Sequence, residues 1–286
     1  MPAPFTLRDG RTLGFERVVV MGVLNTTPDS FSDGGRWVEP EAAVARGIEL
    51  ARAGAHLIDV GGESTRPGSE PVAAPEQIRR VVPVVRALAR AGLVVSIDTT
   101  AAEVAAEALA AGAEIVNDIS AFRFDPGMLE LLAGCRAPAI AMHTLGPPRT
   151  MQQAPRYDDV VREVALHLAE RVRIAEARGI DPARIALDPG IGFGKRLEDT
   201  LALIRHLDAL VALGHPVLVG TSRKAFIGRL TGKAVGERLM GTAASAAFAI
   251  AMGAHIVRVH DVAELADVVA VADAIAHGPP PVFDSP

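Results

Sequence analysis

Eight times along this chain a short run of β-branched and aliphatic residues stops abruptly at polar, ionisable or glycine residues, and an alanine- and leucine-rich stretch of helical periodicity follows. The apolar runs are Val18 to Leu24, His56 to Val60, Leu93 to Ile97, Glu114 to Val116, Ala137 to Met142, Arg184 to Leu187, Pro216 to Val219 and His255 to Val257. Helices are predicted near Glu39 to Ala53, Pro75 to Ala91, Ala101 to Ala111, Pro126 to Ala133, Tyr157 to Arg178, Leu197 to Leu213, Gly236 to Met252 and Ala263 to His277. Gly54, Gly92, Gly112, Gly134, Gly179, Gly214 and Gly253 stand where a left-handed C-cap would end a helix. This rhythm predicts an α/β protein, a single (β/α)8 TIM barrel occupying residues 1–286, and the length suits one such domain. Before the first barrel strand, Phe5 to Phe15 reads as strand, turn, strand around Asp9-Gly10, so a hairpin in residues 1–16 should close the bottom of the barrel. Residues 278–286 read as a loose tail.

In such a barrel the C-terminal ends of the strands converge on one mouth, where βα loops carry the chemistry. Asn25, Asp98, Asn117, Asp188, Lys224, Arg258 and His260 are therefore expected to share one cavity, with His143 facing it. Two long loops rich in Gly, Ser, Pro and Asp, Thr26 to Trp37 and Ser64 to Pro75, read as lids, with plain surface connection as the alternative.

Composition narrows the partners. With 49% hydrophobic residues the chain can bury a large core, and a formal charge of -5 without a basic run argues against nucleic acid, so any anion site is local. A single cysteine, Cys135, excludes an internal disulfide, and the lack of a signal-peptide pattern predicts a cytoplasmic protein. Met240 to Val257 carries no full charge, yet its Ala, Gly, Ser and Thr content, with Gly253 and His255, describes a buried helix packed on the barrel and on a second subunit, not a membrane span. The eight histidines show no zinc-ligand spacing, and His56, His167, His206 and His215 read as surface or satisfied structural residues. Gly190 to Lys195 misses both glycine-rich phosphate-loop spacings and reads as a pocket-shaping turn.

The segment Met21-Gly22-Val23-Leu24-Asn25-Thr26-Thr27-Pro28-Asp29-Ser30-Phe31-Ser32-Asp33-Gly34-Gly35 resembles the opening signature of dihydropteroate synthases, pterin-binding barrels. Gly61-Gly62-Glu63-Ser64-Thr65-Arg66-Pro67-Gly68 resembles their second loop, and Ile97-Asp98-Thr99, Asn117-Asp118-Ile119, Met142-His143, Asp188-Pro189-Gly190 through Lys195, Ser222-Arg223-Lys224 and Arg258-Val259-His260-Asp261 continue the match in order. The resemblance implies a transferase of folate synthesis that condenses a dihydropterin methyl diphosphate with 4-aminobenzoate. It implies Mg2+ as cofactor, with Asn25 giving one oxygen ligand and water and phosphate the rest. It places Thr65, Asp98, Asn117, Asp188, Phe193, Lys224, Arg258, Val259 and His260 around the pterin diphosphate, with Lys224, Arg258, His260 and Asp98 as the catalytic set. Phe31, Thr65, Arg66, Pro67 and Ser222 are placed around the aminobenzoate, and a homodimer is implied.

The residue types suit that chemistry. An arylamine is a weak nucleophile, so the carbon it attacks must be activated by departure of diphosphate, whose charge Arg258 and His260 can meet. Carboxylates and an amide oxygen at Asp98, Asp188 and Asn117 can accept from the amino and ring N–H groups of a pterin. The chain departs from the family pattern at Thr26, at Ala101 and along 142–148, which puts loop positions in question more than reaction type. Two rival readings stand: a catalytically silent pterin-binding paralogue, and a methyltetrahydrofolate-binding methyltransferase barrel, which should lack the Ser-Arg-Lys and Arg-Val-His sets.

Overall fold

The structure, a computed structural model, describes residues 1–27, 40–66 and 68–279. A two-stranded hairpin, β1 (Phe5–Thr6) with β2 (Thr12–Leu13), precedes eight parallel strands: β3 (Val19–Asn25), β4 (Leu57–Gly61), β5 (Val95–Asp98), β6 (Ile115–Asp118), β7 (Ala139–Met142), β8 (Ile185–Asp188), β9 (Leu218–Val219) and β10 (Ile256–Val259). They lie in the order β8-β7-β6-β5-β4-β3-β10-β9, and the last gap is spanned by a parallel bridge between Leu187 and Val217, with Leu187 N donating to Pro216 O at 2.8 Å. The ring is that of a (β/α)8 barrel.

Helices α1 (Pro40–Arg52), α2 (Ala74–Arg90), α3 (Ala102–Ala111), α4 (Gly127–Gly134), α5 (Val160–Ala177), α6 (Leu197–Arg205), α7 (Asp208–Val211), α8 (Ala225–Thr231), α9 (Leu239–Ala251) and α10 (Val262–His277) fill the connections. Their apolar faces and the outward side chains of the strands form one continuous layer, including Leu24, Val60, Ile97, Val116, Leu187 and Val257. Among the described residues no helix is long and apolar enough to cross a membrane.

Side chains alternate along each strand, so the barrel interior is set by every second residue. Near the bottom those positions are apolar: Val19, Met21, Leu57, Ile115, Ile140, Ala186, Leu218 and Ile256 pack together. Phe5, Leu7 and Phe15 of the hairpin segment join this cluster, with Phe5 and Phe15 edge to face at 5.0 Å between centroids, so the hairpin does close the bottom. Two residues further up, the same inward columns become Asp59, Asn117, Asp188 and Arg258, with Ser96 and Asp98 on β5 beside them. The strand pattern itself thus puts apolar ballast below and ionisable groups at the mouth.

Three element expectations change. The stretch 197–213 is two helices, because the backbone leaves helical geometry at His206. Gly134 lies inside α4 and is not a left-handed cap; Cys135 ends that helix in extended conformation. The other six cap glycines do adopt positive φ, with Gly112 at 114° ending α3. A helix the pattern did not signal, α8, starts directly after Lys224.

Candidate active site

The mouth is organised by Arg258. This residue reaches from β10 across the barrel, its Nε donating to Asp59 Oδ2 at 2.6 Å and its Nη2 to Asp98 Oδ2 at 2.7 Å. Asp59 is fully buried, and its Oδ2 also accepts from Asn117 Nδ2 at 3.0 Å. One guanidinium fork therefore fixes three side chains from β4, β5 and β6. Asp59 Oδ1 and Asp98 Oδ1 are buried acceptors without a protein partner.

Opposite lies Asp188, whose Oδ1 accepts from Gly190 N at 2.7 Å. The turn after it needs glycine: Gly190, Gly192 and Gly194 have φ of 67°, 80° and 64°. That turn carries Phe193, over whose ring Lys224 Nζ sits at 4.1 Å. Phe193, Ile119, Met142 and Met151 form a small apolar wall beside these charges. Gly61 lies between Asp98 and Asn25: a Cβ there would stand 3.5 Å from Asp98 Cβ and 3.6 Å from Asn25 Oδ1, both ordinary contacts.

Burial dominates the electrostatics. It pushes the Asp98 carboxyl up to about 7, with Arg258 opposing and Asp59 adding to the rise. Asp188 rises to about 6, burial outweighing the Gly190 N–H and the attraction of Lys224 and Arg258. Lys224 falls to about 8 through burial and the repulsion of Arg258. Burial also works against the Arg258 charge, yet Asp59 and Asp98 together leave its pKa raised. His260 falls to about 3 through burial and the nearby Arg258 and Arg223, so it is a neutral imidazole at pH 7. Ser222 Oγ lies 3.0 Å from His260 Nδ1 and accepts from His260 N at 3.2 Å.

Most of the residues expected at the mouth are brought together there. Asp98, Asn117 and Arg258 share the fork, Asp188 and Lys224 attract each other across the mouth, and Ser222 holds His260. Asn25 ends β3 in register with Gly61, which is in turn level with Asp98. Thr65 lines a crevice of about 140 Å³ with Glu63, Asp98 and Thr99. Arg66 is exposed, and its carbonyl accepts from Ser69 Oγ in a loop tied down by Gly68 N donating to Pro148 O. Glu63, raised above the usual carboxylate range by burial, accepts from Val72 N and Gln77 Nε2 and closes the base of that loop. Val259 turns the other way, its side chain buried between barrel and helices, so it can face a mouth ligand only through its backbone. Phe31 and Pro67 lie outside the described residues.

His143 does not face a ligand freely. Its Nδ1 is 2.9 Å from Lys195 Nζ, and burial with the Lys195 charge lowers its pKa to about 2. Lys195, buried and lowered to about 7, also donates to Phe193 O at 3.0 Å and so braces the glycine turn. His167 is neither at the surface nor satisfied: it meets His143 edge-on at 4.9 Å, and its Nε2 is buried without a partner. Two residues, Asp59 and Lys195, were not singled out as functional from sequence. An Asp inside the apolar run Leu57-Ile58-Asp59-Val60 was the signal for the first; the second closes the Gly190 to Lys195 turn, whose pattern gave the lysine no role of its own.

Lys224→Ala is expected to lower kcat/KM by roughly 10- to 100-fold, the worth of one hydrogen bond or contact to a charged group. The loss should fall on both KM and kcat, because the same ammonium balances Asp188 and covers the ring at Phe193. Unchanged steady-state kinetics would remove Lys224 from the site.

Residues 21–260 match a family described as pterin binding enzyme. A dihydropteroate synthase from Synechocystis sp. is 47% identical over 262 residues, covering 91% of each chain. Among solved structures, Xanthomonas albilineans dihydropteroate synthase with 4-aminobenzoic acid has a TM-score of 0.89 at 46% identity, covering 96% of this chain and 98% of that one. The structure of the X. albilineans enzyme in complex with 7,8-dihydropteroate has a TM-score of 0.85 at 44% identity, covering 95% and 98%.

Proposed function

The chain belongs to the pterin-binding enzyme family, and from that premise we propose that it is a dihydropteroate synthase. It joins (7,8-dihydropterin-6-yl)methyl diphosphate to 4-aminobenzoate. The observation that carries this reading is the set of three acceptors, Asp98, Asn117 and Asp188, held with Lys224 and Arg258 in one buried mouth. Acceptors in that number suit the donor edge of a pterin, and the apolar wall with Phe193 suits its ring faces.

In the reaction the methylene C–O bond breaks with its electron pair leaving on diphosphate, the arylamine nitrogen forms the new C–N bond, and that nitrogen then sheds a proton. Asp98, Asn117 and Asp188 orient the ring and exclude water from it, while neutral His260, held by Ser222, can donate to an anion at the rim. Thr65 and Arg66 stand on the second loop, where an aminobenzoate carboxylate would meet a cation; Phe31 and Pro67 are assigned to the same subsite from the family resemblance alone.

A magnesium ion belongs to this proposal. Asn25 offers one neutral, hard oxygen at the end of β3, a donor set that fits an ion keeping water and diphosphate oxygens as its other ligands. When bound it would neutralise charge on the departing diphosphate. A cytoplasmic setting and a homodimer through α9 complete the reading. Met240 and Phe248 of α9 and Val271 and Ile275 of neighbouring α10 are 77%, 46%, 60% and 80% exposed, apolar surface of the kind a second subunit would cover. Light scattering at micromolar concentration should give twice the monomer mass; a monomer would overturn the dimer.

Dihydropterin affinity should fall on acidification, since the acceptors must be ionised. With Asp188 at about 6 and Asp98 at about 7, both carboxylates are ionised near pH 8, and binding weakens as pH drops through 7 and 6. Once the last carboxylate is titrating, the loss is up to about tenfold per unit for each group. Calorimetry from pH 5 to 8 checks it; affinity independent of pH would mean that these carboxylates do not accept from the ligand.

The activity itself is tested by diphosphate release from synthetic dihydropterin methyl diphosphate with magnesium, with and without 4-aminobenzoate, following dihydropteroate by chromatography. Aminobenzoate-dependent product is expected. Pterin binding without product would instead make the chain a silent paralogue.

A further inference from the structure

We propose that Asp59 is a positioning residue that decides which face of the Asn117 amide the ligand meets. Asp59 is a mid-strand residue of β4, fully buried, and it bonds Arg258 and Asn117 at the mouth. The proposal rests on the pterin-binding reading above, which it deepens.

The argument is one of hydrogen-bond inventory. Asp59 Oδ2 takes Arg258 Nε at 2.6 Å, and a carboxylate held by a guanidinium is an acceptor only. The Asn117 group that faces the same oxygen at 3.0 Å must therefore be its NH2. The amide oxygen is thereby turned away from Asp59, and no described protein group donates to it. Asn117 is 4% exposed, and its bond to Asp59 is the protein contact that sets this orientation. An unconstrained Asn could show a ligand either a donor or an acceptor; tied to Asp59 it shows an acceptor. Together with Asp98 Oδ1, a buried acceptor lacking any protein partner, and with the Asp188 carboxylate, it forms a set of three groups that reads an edge built of donors.

Asp59 differs from Arg258 in what its loss should do. Asp59→Ala removes the oxygen that fixes the amide. Asp59→Asn removes the charge but keeps an oxygen able to accept from both Arg258 and Asn117, with its new NH2 at the place of the unpartnered Oδ1. If orientation is the role, the asparagine rescues; if charge is the role, it does not.

Two readouts test this. By calorimetry with 6-hydroxymethylpterin, Asp59→Ala should bind about tenfold or more weakly, matching an Asn117→Leu variant, while Asp59→Asn stays within about threefold of native, the span of one hydrogen bond. By NMR on ligand-free protein, the Asn117 side-chain NH2 should be protected from solvent exchange in the native chain and in Asp59→Asn, and unprotected in Asp59→Ala. Asp59→Asn binding as weakly as Asn117→Leu, or an Asn117 NH2 equally protected in Asp59→Ala, would overturn the proposal. Should Asp59→Ala not fold, the asparagine variant still decides it against Asn117→Leu. If the native chain binds no pterin, the functional reading fails, and the exchange measurement still decides the amide's orientation.

Discussion

Arg258→Leu is expected to destabilise the protein by about 3–5 kcal/mol, the cost of stripping the partner from a buried ion pair. The guanidinium is the group that bonds both Asp59 and Asp98, which are 0% and 7% exposed. Leucine fills much of the volume and answers neither carboxylate. Against a stability of about 5–15 kcal/mol for an ordinary domain, that is a large fraction. The loss should grow with pH, and the sign follows from Asp98. Its folded pKa already stands at about 7, above the ordinary carboxylate value of 3.8, and removing Arg258, which lowers it, raises it further. A carboxyl raised on folding lends stability fully below its unfolded pKa and withdraws it as pH climbs through the folded one. The variant should therefore lie nearer to native at pH 5 than at pH 8 in urea unfolding. An equal deficit at both values would mean that the carboxylates are not its source. Activity should drop by on the order of 10³-fold, because the fork that aims Asp98 and, through Asp59, Asn117 is gone. Arg258→Lys should recover part of the stability and little of the activity, since an ammonium cannot span two carboxylates in a fixed plane.

That network shows what sequence could and could not reveal. Asn25, Asp98, Asn117 and Asp188 were legible because each is the polar stop of an apolar run, and in a parallel barrel every such stop lies at the same end. The hairpin plug was legible from Asp9-Gly10 between two short apolar stretches. Asp59 lies one residue before the end of its run, flanked by Ile58 and Val60, and only its partners from β6 and β10 give it a reason to be there. Lys195 belonged to a quoted motif, but its bond to His143 joins two loops 52 residues apart. No local periodicity encodes such pairings. Gly134 misled for a simpler reason: composition marks a glycine near a helix end, while the φ that makes it a cap is set by how the next strand is entered.

Gly190→Ala is the second substitution expected to do severe damage, and the turn's geometry says why it should exceed its neighbours. At φ 67° a side chain costs about 1–2 kcal/mol in backbone strain. Beyond that, a Cβ on Gly190 would stand 1.9 Å from His143 O and 3.0 Å from His143 C. Those are backbone atoms, and they cannot step aside cheaply. His143 N donates to Asp188 O at 3.0 Å, Lys195 Nζ lies 3.4 Å from His143 O, and Phe193 N donates to Gly190 O at 3.0 Å. Relieving the clash means moving Asp188, Phe193 and Lys195 together. Overpacking of this kind adds about 1–3 kcal/mol or more to the strain. Gly192 is the internal control. Its φ of 80° carries the same strain, but its Cβ would meet nothing nearer than Lys224 Cδ at 3.6 Å, an ordinary contact. Calorimetric melting should therefore rank the two clearly, with Gly190→Ala losing roughly twice as much Tm as Gly192→Ala or more. The pterin KM should rise in the first variant because Asp188 and Phe193 are displaced with the turn, and should change little in the second. Equal melting losses would show that positive φ alone is what the turn requires, and that the close approach of Gly190 to His143 is not part of what holds Asp188 at the mouth.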